Sequence, residues 1–120
     1  KGRGRRLKDV IGELTLFMRG WTGYFRLSQV KGVFEELDGW IRRKLRCILW
    51  VQWKKPKTRA KMLMKLGIDK VRAHTSAYNG RGSWWNAGAS HMNAAVTTKW
   101  LREQGLLSLI TEQQRLARIT

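Results

Sequence analysis

Along the first part of the chain the apolar residues Leu7, Val10, Ile11, Leu14, Phe17, Met18, Trp21, Tyr24 and Phe25 recur at intervals of three and four. That is the period of an amphipathic helix. The spacing predicts a helix of about 20 residues, roughly 30 Å long, although Gly20 and Gly23 weaken its last turns by about 1 kcal/mol each relative to Ala. Ser28 is placed to cap a second helix, in which Val30, Val33, Phe34, Leu37, Trp40, Ile41, Leu45, Ile48, Leu49 and Trp53 keep the same spacing. Lys54-Lys55-Pro56 ends it, because a residue before proline is driven out of the helical region. Two long helices joined by a short link should lie antiparallel.

Shorter elements follow. A third helix is expected from Thr58 to Leu66, with Met62, Leu63 and Leu66 inward and Gly67 in the C-terminal cap position. Asp69 reads as the cap of a fourth helix ending near Tyr78. Asn79-Gly80-Arg81-Gly82-Ser83 carries the residues of a turn, and Trp84 to Gly88 reads as irregular structure. From Ser90, the residues Met92, Ala95, Val96, Trp100 and Leu101 predict one or two short helices closed by Gly105. Leu107, Ile110, Leu116 and Ile119 mark a final amphipathic helix over Leu106 to Ile119. No strand and no internal repeat is legible, so the expected fold class is all-α.

Composition narrows the class. A chain of 120 residues suits one domain, and such a domain buries roughly two thirds of its unfolded surface. Its 42% hydrophobic content and seven Trp argue against disorder. The single cysteine, Cys47, cannot form an internal disulfide, which favours a reducing setting and a buried thiol. The longest apolar run, Cys47 to Val51, is far shorter than the roughly 18 residues of a spanning helix. The chain opens at Lys1, and the basic stretch Lys1 to Arg6 runs into amphipathic sequence rather than a signal peptide's apolar core. Residues 1–6 are therefore expected to be a basic arm or linker from a preceding domain of a longer polypeptide, and 7–120 the helical domain.

Charge is the second strong signal. There are 25 Lys and Arg against 8 Asp and Glu, a formal net charge of +17. No acidic residue lies between Asp38 and Asp69, an interval holding Arg42, Arg43, Lys44, Arg46, Lys54, Lys55, Lys57, Arg59, Lys61 and Lys65. The N-terminal arm adds Lys1, Arg3, Arg5, Arg6 and Lys8. A charge run is ordinarily a solvated helix face. Here the mutual repulsion of so many cations points to a polyanionic partner that offsets it. Arg42, Arg46, Trp50 and then Trp53 or Lys54 follow one another on a face beside the apolar stripe of the second helix, so guanidinium groups and an indole can meet one surface. Cations that engage phosphates beside rings that stack on bases are the equipment of nucleic-acid binding. Trp21, Trp40, Trp53 and Trp100 occupy inward positions and are expected in the core. Trp50, Trp84 and Trp85 divide evenly between packing and stacking. Arg81, between two glycines and ahead of Trp84 and Trp85, fits either a loop that touches the backbone and base of a nucleic acid or a loop pinned by its aromatics.

Catalytic chemistry is not legible. Glu35, Glu36 and Asp38 form the only acidic cluster, and early in a helix they suit its dipole, with Asp38 one turn from Arg42. Two-metal chemistry needs carboxylates converging on cations. His74, His91 and Cys47 lack a fourth ligand for zinc, and Gly80-Arg81-Gly82 is too short for a phosphate loop. No catalytic residue and no metal ligand is assigned.

Certain runs are distinctive. Arg19-Gly20-Trp21-Thr22-Gly23-Tyr24-Phe25-Arg26-Leu27 is followed by Val33-Phe34-Glu35-Glu36-Leu37-Asp38-Gly39-Trp40-Ile41-Arg42-Arg43-Lys44-Leu45-Arg46. Then come Trp50-Val51-Gln52-Trp53-Lys54-Lys55-Pro56-Lys57-Thr58-Arg59, Leu63 to Ile68, Gly80 to Asn86, and Leu101 with Gly105 to Leu109. In order and spacing these resemble the maturase-specific segment of group II intron reverse transcriptases. The resemblance implies a thumb-like helical bundle, domain X, built on two long antiparallel helices plus several short ones and following the fingers and palm of the polymerase. It implies binding to the group II intron RNA that encodes the protein, promoting its splicing, and support of the RNA template and DNA primer in reverse transcription and intron mobility. The palm's Tyr-Ala-Asp-Asp motif is not in this sequence, so polymerase activity would belong to a parent polypeptide. No cofactor is expected in this chain, since Mg would belong to the intron RNA and the palm. The bacterial cytoplasm or an organellar matrix is the implied location, with no membrane partner.

Within that frame the expected RNA contacts are Arg3, Arg5, Arg6, Arg42, Arg43, Arg46, Trp50, Lys54, Lys55, Lys57, Arg59 and Lys61. Arg81, Trp84 and Trp85 form a second contact, and Lys65 is peripheral. They would read RNA shape rather than sequence. A generic architectural binder of structured RNA is the alternative. Binding to an anionic membrane surface is a weaker one, since the apolar stripes of the first two helices need each other as a core.

Overall fold

The computed structural model describes residues 6–25, 31–109 and 115, with the side chains of 21–25 and 31–33 excepted. Ser28, Arg3, Arg5, the Trp21 side chain and all of the expected last helix between 110 and 119 except Arg115 lie outside the described residues. Among those described, every regular element is a helix: α1 Leu7–Phe25, α2 Lys31–Gln52, α3 Pro56–Lys65, α4 Lys70–Ala77, α5 Ser83–Gly88, α6 Ser90–Ala95 and α7 Thr98–Glu103.

The two long helices form where the 3.6 period placed them. Met18 of α1 clusters with Phe34 near the start of α2, and Ile11 clusters with Leu45 and Leu49 further along it. Late residues of α1 thus meet early residues of α2, the register of an antiparallel hairpin. α2 ends at Gln52, and Lys54 takes a left-handed φ of 58° at the corner, a conformation that costs an L-residue about 1–2 kcal/mol. Lys55 is extended, as its position before Pro56 requires. Pro56 itself opens α3, two residues earlier than Thr58, because the first helical position needs no N–H. Gly67, at φ 103°, ends α3 with the Ile68 N–H returning to the Leu63 carbonyl at 3.0 Å. Asp69 caps α4 by accepting from the Arg72 N–H at 3.0 Å. Gly105, at φ 105°, closes α7.

One expectation fails here. Trp84 to Gly88 is helical, not irregular. Six residues are too few for a free-standing helix; this one is held by packing on α2 and by Asn86, whose buried amide is bonded into the preceding turn.

The core explains the layering. α2 is buried on two faces: Phe34, Leu45 and Leu49 lie toward α1, while Arg46 and Trp50 turn toward the α5 and α6 layer, Arg46 onto the Val96 carbonyl and Trp50 against His91. Trp53 is core, as expected, and Trp100 packs against it half-buried. Asp38, expected beside Arg42, is buried and accepts hydrogen bonds from Ser108 Oγ at 2.9 Å and the Leu109 N–H at 2.8 Å. It therefore ties the segment after α7 back to α2. Cys47 is half-buried.

Candidate functional site

The face of α2 that carries Arg42, Arg43, Arg46 and Trp50 is partly covered, with Arg46 and Trp50 buried and Arg42 and Arg43 half exposed. The α5 to α7 layer packs beside it and leaves an open cleft of about 330 Å³ between the two, walled by Arg42, Arg43 and Arg46 on one side and by Ala87, Gly88, Asn93 and Thr98 on the other. No acidic side chain lines it.

The three arginines differ in what holds them. Arg46 is only 6% exposed, and its Nε donates to the Val96 carbonyl at 2.7 Å, at the end of α6. That carbonyl is one of those a helix end leaves without an intrahelical partner. Burial first, and the charge of Arg42 second, lower the Arg46 pKa from its ordinary value. Arg43 lies along α5: its Nε and Nη2 donate to the Trp84 carbonyl at 3.1 and 2.8 Å, and its Cζ sits 4.2 Å from the centre of the Trp84 ring. A Cβ on Gly88 would come within 2.8 Å of that Cζ, so glycine is what lets the guanidinium lie flat there. Arg42 completes the wall at half exposure.

One expected contact is corrected. Trp50 is 1% exposed, ringed by Trp53, His91 and the Arg59 guanidinium, and offers no face to a base. Arg59 stacks on Trp50 at 4.6 Å and donates from Nε to the Trp50 carbonyl at 3.0 Å, satisfying the last turn of α2. Burial lowers its pKa. Arg46 and Arg59 are thus first of all structural cations. Conversely Trp40, expected in the core, is 54% exposed. It stands about 140° around the helix from Leu45 at 3.6 residues per turn, and its ring centre lies 6.2 Å from that of Trp84.

The remaining cations lie elsewhere. Lys54 and Lys55 are exposed at the corner between α2 and α3, and Lys57 and Lys61 are exposed one turn apart on α3; the corner begins about 13 Å of helix from Arg43, taken as nine residues to Gln52. Arg6 is exposed at the start of α1. Arg81 is exposed with its Cζ 4.9 Å from the Trp85 ring centre. Trp84 and Trp85 are 39% and 44% exposed.

A polar network that the sequence reading missed positions this aromatic edge. Asn86 donates from Nδ2 to the Arg81 and Gly82 carbonyls, while its Oδ1 accepts from Asn79 Nδ2 at 2.8 Å. With Oδ1 so fixed as an acceptor, His91 Nε2 donates to it at 2.9 Å. Burial, then the charge of Arg72, lowers the His91 pKa. The signal was present as Asn79, Asn86 and His91 around a glycine turn, but nothing in their spacing says that they meet. Among the described residues, no three His, Cys, Asp or Glu side chains come together to hold a metal, and no helix is long and apolar enough to cross a membrane.

The family model of the group II intron maturase-specific domain matches residues 1–67. The chain belongs to that family. Its function is accordingly group II intron maturase-related, and group II intron RNA is the partner that membership suggests. No curated protein matches the chain. The maturase-specific match covers α1, α2 and α3, hence the arginine wall and the lysine corner. The α5 to α7 wall of the cleft lies past its end at Gly67.

Proposed function

We propose that the chain is the RNA-binding thumb, domain X, of a group II intron-encoded reverse transcriptase, residues 1–6 linking it to fingers and palm and 7–120 forming the domain. It binds the intron RNA, favours the fold that splices, and flanks the RNA template and DNA primer during reverse transcription. Polymerase chemistry and its Mg belong to the palm, and splicing Mg to the intron. The compartment is the bacterial cytoplasm or an organellar matrix.

The observation that carries this reading is the acid-free interval from Asp38 to Asp69 in a maturase-specific chain, whose Lys54, Lys55, Lys57 and Lys61 stand exposed at the α2 to α3 corner and along α3. Such cations engage phosphates without reading bases. Arg42 and Arg43 extend the contact toward the cleft, and Arg6, Arg81, Trp84 and Trp85 are accessible for more. Arg3 and Arg5 join by sequence alone.

The test compares binding of the chain to the group II intron surrounding its coding sequence with binding to unrelated folded RNA of equal length, for the wild type and for Lys54, Lys55, Lys57 and Lys61 changed together to Gln. Tighter binding of the intron, weakened at least tenfold in the variant, supports the proposal. Equal affinity for both RNAs points to a generic architectural binder, and an unweakened variant with its helicity intact removes the corner as a contact.

A further inference from the structure

Trp40 is the feature that the RNA-binding reading does not use. A bulky indole left 54% exposed on the outer face of α2 is held near the less exposed Trp84, their ring centres 6.2 Å apart and tilted by 51°. Arg43 is stacked on Trp84 and also forms a wall of the cleft. One guanidinium therefore joins an aromatic edge to a cationic hollow. Base rings stack on exposed indoles, and an arginine plane beside them adds a cation–π contribution. A phosphodiester suits a hollow with two accessible arginines, a third buried behind them, and no carboxylate in its lining. Thr98 in the lining offers a hydroxyl to a ribose or phosphate oxygen, while the Asn93 amide is held by the Gly88 and Ala89 carbonyls.

We propose that the cleft between α2 and the α5 to α7 layer seats one unpaired RNA nucleotide, its phosphate against Arg42 and Arg43 and its base on the Trp40 and Trp84 rings. The site takes a flipped-out or bulged residue, because a paired base has no free face to offer a ring. It is indifferent to base identity, since every base presents a π-face. Arg46 contributes charge from behind but is held by the Val96 carbonyl. This inference rests on the proposal that the chain binds RNA, and it adds a discrete site to the phosphate contacts of the lysine corner.

The experiment measures binding of the chain to three RNA hairpins of identical stem: one with a single bulged uridine, one with an abasic residue at the bulge, and one without a bulge. Wild type should prefer the bulged uridine over the abasic hairpin by about 5- to 150-fold, the range of one base stacked on an aromatic ring. Trp40→Ala should erase that preference by bringing affinity for the bulged uridine down to that for the abasic hairpin, and Trp40→Phe should restore part of it. Trp40 is exposed, so the helical circular dichroism of both variants should match wild type. Equal wild-type affinity for the bulged and abasic hairpins overturns the nucleotide seat and leaves the RNA-binding reading standing, as does a preference that survives Trp40→Ala. Failure to bind any hairpin overturns the nucleotide seat, while the comparison of intron with unrelated RNA decides the RNA-binding reading.

Discussion

At the scale of single residues, charge and role separate. Arg42, Arg43 and Arg46 look alike in the sequence, yet Arg46 spends its Nε on a buried helix-end carbonyl while Arg42 stays half exposed. Removing a charged partner from a buried carbonyl is expensive. Arg46→Ala should therefore destabilise the fold by about 2 kcal/mol, seen as a lower urea midpoint, whereas Lys44→Ala at an exposed position should stay within about 0.5 kcal/mol. His91 supplies a second prediction. Its folded-state pKa lies below the ordinary value near 6.5, so the unfolded chain binds the proton more readily than the folded one. Stability is then fully present above about pH 6.5 and declines as the pH falls from there toward the folded-state value. Urea titrations between pH 7.5 and 5.5 should show that decline, and His91→Gln, which keeps a donor near Asn86 without titrating, should flatten it.

At the scale of elements, short-range chemistry fixes ends and packing fixes the rest. Asp69→Ala removes the cap from α4 and should cost about 1 kcal/mol in thermal or urea unfolding, while Asp69→Asn should cost much less. The Asp69 cap, the break at Pro56 and the glycines at 67 and 105 were legible because their causes lie within four residues, while the Thr97 cap of α7 was not anticipated. The hairpin of α1 and α2 was legible because its apolar stripe repeats for five turns or more. What was not legible has a common origin. The stripe on α2 shows which side meets α1, but nothing in a helical period shows that a second layer covers the adjacent side. Hence Trp50 and Arg46 read as an exposed face and are buried, and Trp40 read as core and is exposed. The α5 helix escaped notice because six residues are too few to display a period.

At the scale of the molecule, the candidate surface was half legible. The acid-free interval and the lysine corner follow from the sequence; the division of its arginines between structure and surface does not. The electrostatic part can be tested as a whole. If six to ten phosphates are engaged, RNA affinity should fall by about three to five decades between 50 and 200 mM salt, by the duplex-DNA relation. A nearly flat response in a filter-binding titration would remove phosphate contacts as the source of affinity.

Because α2 is sandwiched, it cannot open without parting from α1 on one side and from α5 and α6 on the other. Local fluctuations that lift the short helices should leave its middle turns closed. Backbone amides of Leu45 to Leu49 should then be the slowest in the chain to exchange with deuterium, near the limit set by global unfolding, and those of α5 and α6 markedly faster. The wall that bears the arginines would thus be the rigid half of the cleft, and the wall bearing Trp84 the half that breathes.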